Sequence, residues 1–180
     1  MKNICIFMAN GFEEIEALTV VDICRRADIK IITVSIAGRR QLLGAHAIAI
    51  HADEVYDNVD FSQMDGIVLP GGMPGTRYLQ DDEHVVECVK KFADEGRLVA
   101  AIYAAPSILG NAGVLDGKKA TVYPGFETPD VNWTGEAVVK DGNIITGKGP
   151  GVAAEFALAL VEYLEGKEKA DKLRAEMQMN

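Results

Sequence analysis

Short apolar runs alternate with amphipathic stretches along the whole 180-residue chain, and this alternation limits the fold more than any other feature. Strands covered on both faces read as continuous apolar runs, and helices between them imply parallel βαβ units. Ile4–Met8, Lys30–Ile36, Gly66–Leu69 and 98–102 are such runs. Glu13–Arg26 places Ile15, Leu18, Val21 and Ile23 near helical spacing, with acids in its first turn and Arg25 and Arg26 in its last, as the helix dipole favours. Glu83–Ala93 and Val152–Leu164 read as further helices, and a charged tail helix starts near Lys167. Gln41–Leu43 with Ala47–Ile50 is expected as a small side hairpin, and Lys118–Tyr123 as another short strand. Ala137–Lys140 and Asn143–Thr146 flank Asp141-Gly142 as a second hairpin. No repeat, linker or low-complexity segment interrupts the pattern, so residues 1–180 are expected to form one α/β domain.

In an open parallel sheet, ligands bind beyond the carboxyl ends of the strands. Four loops are expected there: Asn10-Gly11-Phe12, Pro70-Gly71-Gly72, the Ile102–Tyr103 junction and Tyr123-Pro124-Gly125. The chain carries 18 basic and 27 acidic residues, a net charge of −9. That balance argues against nucleic acid or an anionic membrane as partner, since both require a basic surface. The opening MKNICIFMAN holds too short an apolar run to span a membrane and no signal-type cleavage site, which implies a cytoplasmic protein. Cys5, Cys24 and Cys88 lack the spacing of a disulfide framework or a zinc site and read as buried, reduced thiols.

The junction in AAIYAAPSILG, residues 100–110, is the most informative of the four loops. A buried strand ends there and Pro106 opens a helix, so Tyr103 is presented where many α/β enzymes hold a nucleophile. Ser107, one turn on, has no base beside it in the sequence and reads as a helix residue bonding locally. Glu13 and Glu14 suit the dipole of the first helix, whereas Glu16 falls on the side of Phe12 and Val20, near the apolar face. A carboxyl withdrawn from water has a raised pKa and, protonated, donates a hydrogen bond. Pro70-Gly71-Gly72 offers unobstructed backbone N–H groups, suited to an oxyanion or to an ordinary tight turn. Gly149-Pro150-Gly151 precedes a helix but spaces its glycines wrongly for a nucleotide fingerprint, so no nucleotide cofactor is expected. His46, His51 and His84 fall in the side hairpin and near a helix start, away from the strand-end loops, and no Ser-His-Asp set is visible.

Six stretches occurring in order, GFEEIEA (11–17), VDICRRADIKI (21–31), DGIVLPGGMPG (65–75), GRLVAAIYAAPSILG (96–110), GKKATVYPGFE (117–127) and DGNIITGKGPGVAAEFALALVE (141–162), resemble the DJ-1/PfpI (ThiJ) superfamily. The resemblance implies a flavodoxin-like three-layer α/β/α sandwich with a mostly parallel sheet, and a homodimer; no cofactor or metal is expected. Its members include glyoxalases and deglycases acting on small carbonyl metabolites or modified proteins, intracellular-protease-like enzymes and redox stress-response proteins. It places Tyr103 where the family has its nucleophilic cysteine, Glu16 as the acid touching it, and the backbone of Gly71, Gly72 and Ala104 around the oxyanion site. Tyr123 matches a position where many members carry a histidine.

A thiol has a pKa near 8.5 and a phenol near 10, so Tyr103 cannot replace the cysteine as nucleophile. Three readings follow: a family enzyme impaired at Tyr103, a non-enzymatic stress-response or ligand-binding homodimer, or an enzyme using the phenol as general acid. A hydrogen bond between the Tyr103 hydroxyl and Glu16 is the expected arrangement.

Overall fold

The structure is a computed structural model that describes residues 1–179. From the amino end the chain forms β1 (Asn3–Met8), α1 (Glu14–Arg26), β2 (Lys30–Ser35), β3 (Gln41–Leu43), β4 (Ala49–His51), β5 (Glu54–Val55) and β6 (Gly66–Leu69). There follow α2 (Gly75–Asp81), α3 (Glu83–Asp94), β7 (Leu98–Ile102), α4 (Pro106–Asn111), β8 (Lys119–Ala120) and β9 (Asn132–Trp133). The carboxyl-terminal part supplies β10 (Val138–Asp141), β11 (Ile144–Gly147), α5 (Ala153–Glu165) and α6 (Lys167–Glu176).

Seven strands form the central sheet in the order β10-β11-β7-β6-β1-β2-β5, parallel except for the hairpin of β10 with β11. Side chains alternate between its two faces. Ile4, Ile6 and Met8 join one core with α1 and α5, while Cys5 and Phe7 join the other with α3 and α4. Helices therefore cover both faces, and the strands between them need apolar residues throughout, as Leu98–Ile102 shows with every residue fully buried. The strand order reverses at β1, which pairs with β2 on one side and β6 on the other. This is the switch point at which loops diverge and leave a crevice.

Several sequence expectations need correction. The strand expected over Lys118–Tyr123 shrinks to Lys119–Ala120, paired with β9 outside the main sheet, because the Thr121 N–H turns to the Thr146 hydroxyl at 2.9 Å. The hairpin strand expected at Ala47 begins at Ala49, since Ala47 takes a left-handed turn conformation with φ 63°. The last long helix starts at Ala153, after a single 3-10 turn over Pro150–Val152. No apolar spacing predicts α2, because its sequence GTRYLQD buries only Gly75, Thr76 and Leu79 and shows no helical stripe. On α1 the core face is formed by Ala17, Val20, Val21, Ile23 and Cys24, whereas Ile15 and Leu18 point outward, 57% and 41% exposed. Cys5, Cys24 and Cys88 are free and buried. Among the described residues no helix is long and apolar enough to cross a membrane.

Candidate functional site

The loops after β1 and β6 meet at the switch point and are tied to each other by backbone hydrogen bonds. Glu13 N–H donates to Gly71 O (2.9 Å), and Gly75 N–H to Gly11 O (3.3 Å). β7 then ends in an elbow at Tyr103, whose φ of 66° lies in the left-handed region. An L side chain there costs about 1–2 kcal/mol, which the surroundings must hold in place. They do so from both sides: Tyr103 N–H donates to Gly147 O (3.0 Å), and Tyr103 O accepts from Tyr123 N–H (2.9 Å). Ala104 and Ala105 are fully buried, and the Ser107 hydroxyl donates to Ala104 O at 2.6 Å, the local bond expected of it.

Glu16 reaches this elbow from α1 and is completely buried. Its Oε2 accepts the Gly71 N–H at 2.7 Å, while Oε1 has no partner. Burial pushes its pKa up to about 8, a rise the Gly71 N–H opposes and neighbouring Glu13 adds to. Glu16 therefore holds a proton at neutral pH. Gly71 has to be glycine: a Cβ there would lie 2.5 Å from Tyr103 Cβ and 2.9 Å from Glu16 Oε2. Its N–H is engaged by Glu16 and is not free for an oxyanion, a correction to the sequence reading. The N–H groups of Gly72 and Ala104 donate to no group among the described residues.

The expected bond between the Tyr103 hydroxyl and Glu16 is absent. The Tyr103 ring turns away and meets Tyr123 edge-to-face, with ring centroids 4.7 Å apart and planes at 89°, and Phe126 at 6.3 Å. Three rings packed this way gain from their quadrupoles as well as from burial. Burial raises the Tyr103 pKa, and Tyr123 and Glu16 add to the rise. Phe126 carried no signal in the sequence beyond being an aromatic residue in a strand-end loop.

The side hairpin also folds differently from expectation. Gly11 N–H donates to Leu43 O and Ala45 N–H to Phe12 O, so the hairpin lies over the start of α1. This brings His46, expected elsewhere, to Glu14: Nδ1 is 2.8 Å from Oε2, and the His46 backbone N–H donates to Oε1 at 2.7 Å. Burial raises the Glu14 pKa, but the hydrogen bonds from His46 and Ile48 outweigh it and leave Glu14 below the usual range. The bond to Glu14, helped by Glu13, raises His46 in turn. Glu13, Glu14 and His46 bring donor atoms within 4.8 Å of one another, although the Glu14 oxygens are already engaged by the hairpin. His84 stacks on Tyr56 at 5.3 Å, on the opposite face of the sheet.

Comparison with known proteins identifies the family and the fold. The model of the DJ-1/PfpI family matches residues 2–163. Protein DJ-1 homolog A of Arabidopsis thaliana is 38% identical over 177 residues, covering 96% of this chain and 45% of that protein. The chain thus spans less than half of that relative, but it covers 94% of protein dj-1beta of Drosophila melanogaster, at 36% identity over 176 residues and 96% of this chain. The crystal structure of Drosophila DJ-1beta superposes with a TM-score of 0.95, covering 99% of this chain and 98% of that one. A Pyrococcus abyssi protein named as a deglycase is 32% identical over 166 residues, 90% of this chain and 99% of that one.

Proposed function

Because the chain belongs to the DJ-1/PfpI family, we propose that it is a relative of the family's carbonyl-processing members in which the cysteine-dependent step is abolished or strongly reduced at Tyr103. The observation that carries this reading is the elbow itself: a tyrosine stands at φ 66° beside a completely buried Glu16. In the chemistry the family resemblance implies, a thiolate sulfur bonds to the carbonyl carbon of the substrate. The C=O π pair moves to oxygen, which takes a proton from the neighbouring carboxyl. Glu16 and the free N–H groups of Gly72 and Ala104 remain suited to that oxygen. The attacking group is missing, because an ordinary phenol is only about 0.1% ionised at neutral pH and burial lowers that fraction further. The relative named as a deglycase supports reactive carbonyls, or protein adducts of them, as the substrate class.

The test is methylglyoxal consumption by this chain and its Tyr103→Cys variant, with folding checked by circular dichroism. The variant is expected to exceed the parent by at least about thirtyfold, the ratio of ionised fractions of an unperturbed thiol and phenol. Comparable rates in the two proteins would overturn the reading.

A second reading, a ligand-binding or stress-response homodimer without catalysis, is favoured by one surface feature. Ile15, Leu18, Leu43 and Ile48 are 41–57% exposed, and the hairpin holding the last two is anchored to the start of α1. Such apolar surface is typical of an association face. Sedimentation is expected to show a dimer, and the double variant Ile15→Glu, Leu18→Glu a folded monomer. A monomeric parent at tens of micromolar would exclude the association. Three free buried thiols suit a reducing compartment, so the cytoplasm is the proposed location.

A further inference from the structure

The GKGPG stretch takes no part in the elbow chemistry beyond one backbone bond, yet it forms most of a cleft of about 540 Å³ next to Tyr123. That volume falls within the range of small-molecule sites. Its walls are the Tyr123 ring, Pro124, Pro150 and Val152, with Gly149 and Gly151 between them. Gly149 leaves room for the ring, since a Cβ there would lie 3.3 Å from Tyr123 Cδ2. The ring is held in place by edge contacts to Tyr103 and Phe126 yet remains 42% exposed, a flat apolar surface with no cover of its own. The one charged group of the lining is Lys148, and no carboxylate lines the cleft. Lys148 Nζ makes one solvent-exposed hydrogen bond, to Gly135 O at 3.1 Å, which leaves two of its three donors free. In a chain of net charge −9 this cleft is a locally cationic, apolar exception.

We propose that the cleft beside Tyr123 binds a small aromatic monocarboxylate, its ring against Tyr123 and the flanking prolines and its carboxylate on Lys148. Flat aromatic faces match the tyrosine and proline surfaces. One ammonium on an otherwise apolar lining pairs with one carboxylate, whereas a phosphate would leave charged oxygens unmatched. A cationic ligand would meet Lys148 with like charge.

The inference rests on the ligand-binding reading given above, and the test separates the two. Isotope-labelled protein is titrated at neutral pH with phenylacetate, neutral phenylethanol and cationic phenethylamine, following the amide signals of Gly149, Gly151 and Val152. Phenylacetate is expected to shift them saturably and to bind about three- to fivefold tighter than phenylethanol, the worth of one partly exposed ion pair. Phenethylamine is expected to bind weakest. Lys148→Met should erase the preference for the acid while leaving phenylethanol binding unchanged, and Lys148→Arg should retain it. A preference that survives Lys148→Met, or an amine that binds as well as the acid, overturns the proposal. Phenylethanol binding without preference for the acid overturns the ligand class alone. The absence of binding by all three compounds overturns the proposal, while the sedimentation test given above decides the homodimer reading separately.

Discussion

Gly72→Ala is expected to destabilise the protein by about 3–5 kcal/mol and to lower its melting temperature by about 10 °C. Two costs combine at this position. Gly72 has φ 93°, where an L side chain is strained by about 1–2 kcal/mol. In addition, a Cβ would lie 2.3 Å from Glu13 N, 2.6 Å from Gly11 O and 2.7 Å from Phe12 C, all of them backbone atoms. No rotamer change relieves a clash with backbone, so the loops after β1 and β6 would have to part. Their separation would stretch the Glu13 N–H to Gly71 O bond and move Glu16 relative to the elbow. Gly125→Ala is the control for the first cost alone, because Gly125 has φ 97° with open space around it. It is expected to lose only about 1–2 kcal/mol in urea unfolding. Equal losses in the two variants would show that crowding at the switch point does not hold the loops together.

The central sheet was readable from the sequence because strands covered on both faces must be apolar at every position, as Leu98–Ile102 is. The short pairing outside that sheet was not, because β8 pairs with β9 over two residues only and its neighbour Thr121 bonds a side chain instead. On α1 the apolar spacing announced a helix but not which stripe faced inward: Ala17, Val20 and Cys24 take the core, leaving Ile15 and Leu18 outside. At the site, motif order named Tyr103, Glu16, Gly71 and Gly72, and the loops carrying them converge. The direction of the Tyr103 ring was not readable, since it follows from Tyr123 and Phe126, which reach the elbow through tertiary packing. The same holds for His46, whose partner Glu14 is adjacent only because the side hairpin folds over α1.

Glu16→Gln is expected to stabilise the protein by a few kcal/mol above pH 8 and to change it little near pH 5. The sign follows from which state holds the proton. An ordinary glutamate loses its proton near 4.5, whereas buried Glu16 keeps it to about 8. Between these values the folded state binds a proton that the unfolded state has released, so stability falls as pH rises through the window. Each pKa unit corresponds to about 1.4 kcal/mol, and the loss is complete above the folded value. Glutamine cannot ionise, and its carbonyl oxygen still accepts the Gly71 N–H, so the variant lacks this part of the pH dependence. Its amide meets a position where Oε1 has no partner, a cost of about 1–3 kcal/mol that keeps the variant from exceeding the parent at low pH. Urea midpoints for parent and variant at pH 5, 7 and 9 decide the matter. Curves that diverge with rising pH support a protonated Glu16 at the elbow, while parallel curves would mean that the carboxyl is already ionised at neutral pH. In that case it has no proton to give a carbonyl oxygen, and restoring a thiol at Tyr103 would not be enough to restore turnover.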